Sequence, residues 1–492
     1  MLPRHPAQTF LRLVAGVSIA AMHQRGDGTL ALHWFTTDLR LRDNPALALA
    51  EGPVAGVFVR DPALLARHAG ASRRLAFMDA SLAALDAALR ARGSRLLVLE
   101  GDPAAVLPPL AAALGAATVT HAEALEPAAR ARTARAARAL SRDGLVVRAA
   151  EASLVQSAGT VLAGGERPYR VYSAFARAWE RLPLRSPVAM PRAWAPAERL
   201  AAAAPAAAAG APAPRDPDLP AAGEDAAAAR LARFLADAVA GYRVRRDLPA
   251  VDGTSRLSWH LRWGTLSAAA AVRRAQAVAE RDPAAPDGVR AWVRELAWRD
   301  FYAHLVAASA DPAERRSVRP ALPCRVDDAA FRRWRDGTTG IPLVDAGMRQ
   351  LRATGWMHNR LRMITASFLT KHLLLDWRLG EAHFWTELLD GQLSQNRGGW
   401  QWVAGCGADA QPFYRIFSPT RQGARFDPEG AYVKQWVPEL ARVPARQVHE
   451  PWTLSALERR ALCPDYPAPV VTLEEGRARA LAAWERSRAA GR

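Results

Sequence analysis

Lysine is almost missing from this chain. Of 66 lysines and arginines only Lys371 and Lys434 are lysine, so the basic charge is guanidinium. Cysteine is scarce too. Cys324, Cys406 and Cys463 are odd in number and show no C-x-x-C spacing. That excludes a disulfide framework and a structural zinc site, and fits a reducing compartment. No apolar run is long enough to span a bilayer. No G-x-G-x-x-G follows the first predicted strand, and no P-loop, H-E-x-x-H or G-x-S-x-G occurs. Dinucleotide-dependent, nucleotide-hydrolysing, metalloprotease and serine-hydrolase chemistries therefore lack their usual marks. The surplus is positive, with a formal net charge of +18. It favours a polyanionic partner, nucleic acid first and an acidic membrane surface second, although heavy Ala, Arg, Gly and Pro usage also reads as a coding bias.

What is present is organised by periodicity. Leu30–Phe35, Val54–Val59, RLLVLEG, ATVTHA and GLVVRAA read as strands. TTDLRLRDNPALALA reads as a polar loop and a helix, and Ser72–Arg92, Pro103–Leu114 and Pro127–Ser141 as further helices. The alternation predicts a doubly wound parallel sheet over residues 29–155. Residues 1–28 hold a short apolar run, Leu11–Ala21, and read as a disordered extension or a start assigned too early, with Met22 the true one, rather than a signal peptide. Residues 156–223 read as an interdomain linker rich in Pro and Ala, whose GTVLAGGERPYRVYSAF portion packs on a domain. Residues 224–485 read as an all-α domain.

Chemistry concentrates in that second domain. Thr254, Ser255, Arg256, Leu257 and Ser258 set hydroxyls and an arginine before a helix, a pattern that holds phosphate or, more simply, caps the helix. Trp292, Glu295, Arg299 and Tyr302 share one helical face, with Trp298 beside Glu295. Gly355–Trp402 is organised differently from an ordinary core. Ile364, Phe368, Leu369, Leu373 and Leu375 give it helical spacing. It also carries Trp356, Trp377, Trp400 and Trp402 among Asn359, Arg360, Arg362, Asp390 and Asn396. Buried polar groups need partners, so the stretch points to a large, flat ligand rich in heteroatoms. Asn359 shares a face with Met363, and Asn396 with Trp400; Trp400 and Trp402 point to opposite sides.

DLRLRDN, GTSRLS, WVRELAWRDFYAHL, GIPLVDAGMRQLRATGWMHNRLRM and NRGGWQW together resemble the photolyase/cryptochrome family, from about Leu30 to the C-terminus. GWMHNRLRM is similar to the class I cyclobutane pyrimidine dimer photolyases; members acting on (6-4) photoproducts carry a second histidine where Asn359 stands. The resemblance implies a U-shaped, non-covalent FAD in the helical domain and an antenna chromophore by the α/β domain. It implies light-driven electron transfer from reduced flavin to a flipped dimer, whose ring splits and returns the electron.

Carried over by motif, the FAD contacts are Tyr242, Thr254 to Ser258, Trp292, Trp356, Arg362, Asp390, Gln392 and Asn396. Arg362 and Asp390 would pair at the ring, and Asn396 would face flavin N5. The lesion and DNA contacts would be Glu295, Trp298, Arg299, Tyr302, Asn359, Arg360, Met363, Trp402 and Gln422, with Glu295 and Asn396 catalytic and Trp298 and Trp402 flanking the dimer. Trp400, then Trp377, then Cys324 in place of the usual third tryptophan would form the electron chain. His68 and Glu126 would hold the antenna, methenyltetrahydrofolate rather than a deazaflavin. Three departures stand out: Gln392 for the second aspartate of a D-G-D run, Arg397 in NRGGW for NNGGW, and Cys324. The resemblance leads to the expectation of a cytoplasmic monomer bound to dimer-containing DNA, with no metal and no membrane association. The competing readings are a cryptochrome photoreceptor, which the absence of a long C-terminal tail disfavours, and a DNA-binding module with a vestigial flavin.

Overall fold

The computed structural model describes residues 29–68, 70–203, 218–309, 324–410, 412 and 415–490. The expected extension at 1–28 and the Pro/Ala tract at 204–217 lie outside them. The first domain is a sheet of five parallel strands in the order β3-β2-β1-β4-β5. These are β1 Leu30–Phe35, β2 Val54–Arg60, β3 Leu96–Glu100, β4 Ala116–Ala122 and β5 Val146–Ala150. Every residue of β1 is buried, as a central strand covered on both faces requires. Leu32, Trp34, Val57, Leu99 and Val119 pack with Leu107, Leu110 and Leu140 from the flanking helices Pro103–Leu114 and Pro127–Arg142.

The helix expected after β1 is a single 3-10 turn, Leu47–Leu49. The polar residues before it are spent on docking. Asp38 accepts from the Thr36 backbone N–H at 2.8 Å and from Asn44 at 3.0 Å. Arg40 is buried and donates to the carbonyls of Gly264 and Ala152 at 2.9 and 2.7 Å. The segment therefore follows its partners across the domain boundary rather than its own helical period.

Much of the expected linker is built structure. Tyr172–Arg181 is a helix whose Phe175 and Trp179 are buried, and Trp179 Nε1 donates to Asp300 at 2.9 Å. Trp194 forms a parallel bridge with Val54, and Leu200 in the helix Ala197–Ala203 is buried in the sheet's core. The sequence shows Pro and Ala here, but four aromatics (Tyr169, Tyr172, Phe175 and Trp179) supply enough apolar surface to pack.

The helical domain has two apolar centres, one around Trp334, Leu361 and Trp400 and one around Phe234, Trp292 and Phe301. The stretch Gly355–Trp402 is not one helix. Asn359–Ser367 passes into a π-helical turn, Phe368–His372, and the chain continues as Trp377–Glu387 and Leu393–Ala404. Among the described residues no helix is long and apolar enough to cross a membrane.

Candidate active site

The helical domain encloses a cavity of about 490 Å³, inside the ~300–1,000 Å³ range of small-molecule sites. Its lining comes from separate segments. The helix Pro286–Ala307 contributes Trp292, Glu295, Trp298 and Tyr302, because its i, i+3 and i+10 positions share a face. Asn359–Ser367 contributes Asn359, Arg360, Arg362 and Met363; the loop after Trp377–Glu387 contributes Asp390 and Gln392; Leu393–Ala404 contributes Asn396, Trp400 and Trp402. Tyr242, the residues Thr254 to Ser258 and Trp356 close the remaining side.

The wall is graded in exposure. Trp292, Trp400, Asp390 and Asn396 are buried, Trp298, Trp402 and Met363 are half-buried, and Asn359 is exposed. The site thus has an enclosed floor and an accessible rim. At the floor Arg362 grips Asp390 with two parallel bonds of 3.1 and 2.8 Å, the bidentate geometry that fixes a guanidinium in plane. Asn396 donates its amide nitrogen to the Glu381 carbonyl at 2.9 Å, which turns its oxygen away from that helix. Arg397, the neighbouring departure from the family pattern, pairs with Glu381 at 3.0 Å, so its charge is matched locally.

At the rim Glu295 pairs with Arg246, and Arg360 with Asp247. Burial pushes the Glu295 carboxyl above its ordinary value, and Arg246 opposes that. The Thr254–Ser258 loop is held from outside. Arg230 donates to the carbonyls of Ser255 and Thr254 at 2.9 and 3.2 Å, and Arg256, at φ 48°, lies over Trp356 at 4.9 Å. Ser258 Oγ is buried without a partner in this wall, while Arg256 Nε pairs with Asp252 at 3.1 Å. A buried hydroxyl left unpaired costs free energy unless a ligand completes it. With the other hydroxyls of this loop it fits the polar, phosphate-bearing half of FAD, and the aromatic floor fits its ring.

Two further residues expected at the DNA have other surroundings besides the cavity. Arg299 is buried, lines the cavity and also donates to the carbonyls of Ser153 and Leu261 at 2.8 and 3.1 Å, so it joins the domains as well. Its helical face passes from cavity to domain interface, which spacing alone does not reveal. Gln422 sits on the helix Pro419–Phe426 and is not part of the cavity wall. Conversely, Arg246, Asp247 and Glu381 belong to the site. The Tyr242–Arg246 run next to the hydroxyl loop was the available signal for the first.

Trp400 and Trp377 lie in one apolar cluster. Cys324 is exposed and electrostatically coupled to Asp376, the cap of the Trp377 helix; burial and then Asp376 push its thiol up to about 11.

A second, smaller cavity opens at the carboxyl ends of β1 and β4, the point where strand order reverses. Ligands of open α/β sheets bind at that place. His68 and Glu126 line it, with Trp34, Arg132 and Trp263. Arg132 Nε and Trp263 Nε1 are buried there without partners. His68 takes a 3.1 Å bond with Arg74 and stacks on Trp385, and Glu126 accepts from the Leu393 N–H at 3.2 Å. Gln392 lines both cavities.

Fold and site define a two-domain protein with a flavin-sized cavity in its helical half and a second crevice under its sheet. Two family models match, DNA photolyase over residues 31–194 and the FAD binding domain of DNA photolyase over residues 292–486. A deoxyribodipyrimidine photo-lyase of Salmonella typhimurium is 40% identical, covering 93% of this chain and 98% of that protein. A bacterial class III photolyase of Agrobacterium tumefaciens superposes with a TM-score of 0.82 at 35% identity, over 95% of this chain and 99% of that one. A Synechocystis cryptochrome gives 0.82 at 28% identity, over 94% and 100%. The chain belongs to the photolyase/cryptochrome family.

Proposed function

We propose that this protein is a deoxyribodipyrimidine photo-lyase that repairs cyclobutane pyrimidine dimers in DNA under blue light. The observation that supports it is one cavity with a cofactor end and a lesion end. The Arg362–Asp390 pair and Asn396 lie at its buried floor, and Glu295, Trp298, Met363 and Trp402 line its side toward the rim. When bound, FAD would supply the light-driven electron-transfer chemistry that opens the cyclobutane ring.

The chain's own residues do the rest. Arg362 and Asp390, held in plane by their two bonds, would hold the cofactor at the cavity floor. Trp298 and Trp402 offer indole faces to an extruded dimer, and base–aromatic stacking contributes roughly 1–3 kcal/mol per base. Glu295, kept in place by Arg246, offers a carboxyl to the edge of the pyrimidine. Arginine along the rim neutralises phosphates, which supplies affinity without sequence preference. Electron transfer needs no general base, which agrees with the missing hydrolase motifs. The second cavity is the place for a light-harvesting chromophore, with methenyltetrahydrofolate the first candidate, and the protein acts as a cytoplasmic monomer on DNA.

The test uses FAD-loaded, chemically reduced protein and two oligonucleotides, one with a single thymine cyclobutane dimer and one with a (6-4) photoproduct. Restoration of the first in light and not in darkness, with the second untouched, is the expected result. Repair of the (6-4) photoproduct alone would overturn the substrate. Light-driven flavin chemistry without repair of either would favour a photoreceptor.

A further inference from the structure

We propose that the segment from Arg170 to Tyr172 is a strap that sets the gap between the two lesion-flanking indoles, with Tyr172 the positioning residue behind Trp298. The proposal rests on the repair reading above. The Tyr172 and Trp298 rings lie parallel, centroids 3.5 Å apart and planes at 9°. Trp298 lines the cavity and Tyr172 does not, so Tyr172 covers the indole face turned away from it. Its hydroxyl donates to the Arg294 carbonyl at 2.8 Å, one helical turn before Trp298. The ring is thereby held at both ends. Phe301 meets it edge-on at 5.8 Å, and the helix it begins is anchored through Trp179 to Asp300.

The same segment also reaches the end of the helix that carries Trp402. The Arg170 carbonyl accepts from the Asp409 N–H at 2.9 Å, and the Tyr172 N–H donates to the Asp409 carboxylate. Asp409 has a φ of 48° and follows the helix that carries Trp402. The turn between is tied back on that helix, because the N–H groups of Cys406 and Gly407 both donate to the Gln401 carbonyl. Arg170 to Tyr172 therefore touches the back of one indole and, through Asp409 and Gln401, the root of the other. A wall held from behind loses less side-chain freedom when a ligand stacks on it.

The experiment measures dark binding of a thymine-dimer oligonucleotide and its undamaged counterpart to the FAD-loaded protein. Tyr172→Leu removes the ring and keeps bulk; Tyr172→Phe keeps the ring and removes the hydroxyl. Tyr172→Leu is expected to weaken dimer binding about 3- to 10-fold, the scale of one aromatic pair. FAD absorbance per protein and affinity for undamaged DNA stay unchanged, and Tyr172→Phe recovers most of the loss. Unchanged dimer preference in Tyr172→Leu overturns the strap, as does a Phe variant equal to the Leu variant, or both affinities falling together. Should Tyr172→Leu fail to fold, Asp409→Gly, tolerated at that φ, decides instead: dimer preference falls if the strap sets the gap and holds if it does not. A wild type with no dimer preference refutes the repair reading itself.

Discussion

Trp334 stands edge-on to Trp400, with ring centroids 6.1 Å apart and planes at 73°. It lies ten positions beyond Cys324, where the family's outer tryptophan falls. It is fully buried, and its Nε1 donates to the Thr365 carbonyl at 3.0 Å. An oxidised Trp334 would thus have no water to take its proton, and the charge would return. Cys324 is held as a neutral thiol, a poor relay. Light-driven reduction of bound, oxidised FAD by an external reductant is therefore expected to be slow. It should quicken in Cys324→Trp and be unaltered in Trp334→Phe. Loss of photoreduction in Trp334→Phe would instead assign the wire to that branch.

Glu295→Ala is expected to keep FAD bound and to weaken dimer binding by about 1.5–3 kcal/mol, the range for a hydrogen bond to a charged group. It also leaves Arg246 without its carboxylate partner. Glu295→Gln should recover part of the affinity. Dimer affinity and yield per absorbed photon that match the wild type would remove Glu295 from the lesion site.

Acid should destabilise the protein well above the carboxylate range. Burial, with nearby arginine or lysine charge, lowers His68 to about 3 and His260, His358 and His372 to about 4, from an ordinary 6.5. Between those values the unfolded chain binds more protons than the folded one, so stability rises with pH. It is fully present above about pH 6.5 and is lost as pH falls, each such histidine costing about 1.4 kcal/mol per unit. The urea midpoint of the loaded protein should drop between pH 6.5 and 5, and His68→Gln should cut proton uptake on unfolding by nearly one. A flat midpoint over that window contradicts neutral burial.

Gly380 packs against Trp400 so closely that an added Cβ would lie 2.0 Å from the indole. Gly380→Ala is expected to cost about 1–3 kcal/mol through overpacking and to displace Trp400 from the cavity floor. Thermal melts and FAD retention read the two effects. Wild-type values for both would mean the helices Trp377–Glu387 and Leu393–Ala404 part without strain.

Binding to undamaged duplex should fall steeply with salt, with a logarithmic slope of about 0.9 per neutralised phosphate. The ratio of dimer to undamaged affinity should persist, since stacking on Trp298 and Trp402 releases no counterions. Equal affinities at every salt concentration would contradict lesion recognition.

The strands and most helices were legible because each needs only its own period. Leu30–Phe35 reads as a buried strand from residues adjacent in the chain, and the helix Pro286–Ala307 from its apolar and aromatic spacing. The family was legible for the same reason, its motifs being contiguous. Where the sequence said less, the cause was a distant partner. The stretch through Phe175 reads as packing on a domain, but the helix Tyr172–Arg181 does not show in the spacing, because its burial depends on Phe301 and Asp300, more than a hundred residues away.

By itself the sequence determined most element types, the two-domain division and the basic character, and it pointed to a polar, aromatic stretch in the helical domain. Tertiary structure decided which residues meet. It bonded Arg299 across the domain interface as well as placing it in the cavity wall, drew Glu126 to the N-terminus of the helix bearing Asn396 and Trp400, and set Tyr172 behind Trp298. Periodicity tells a side chain which face it shares. Only the packing of helices and sheet fixes what that face meets, because a long-range contact forms when both partners are buried together and neither one's spacing records the other.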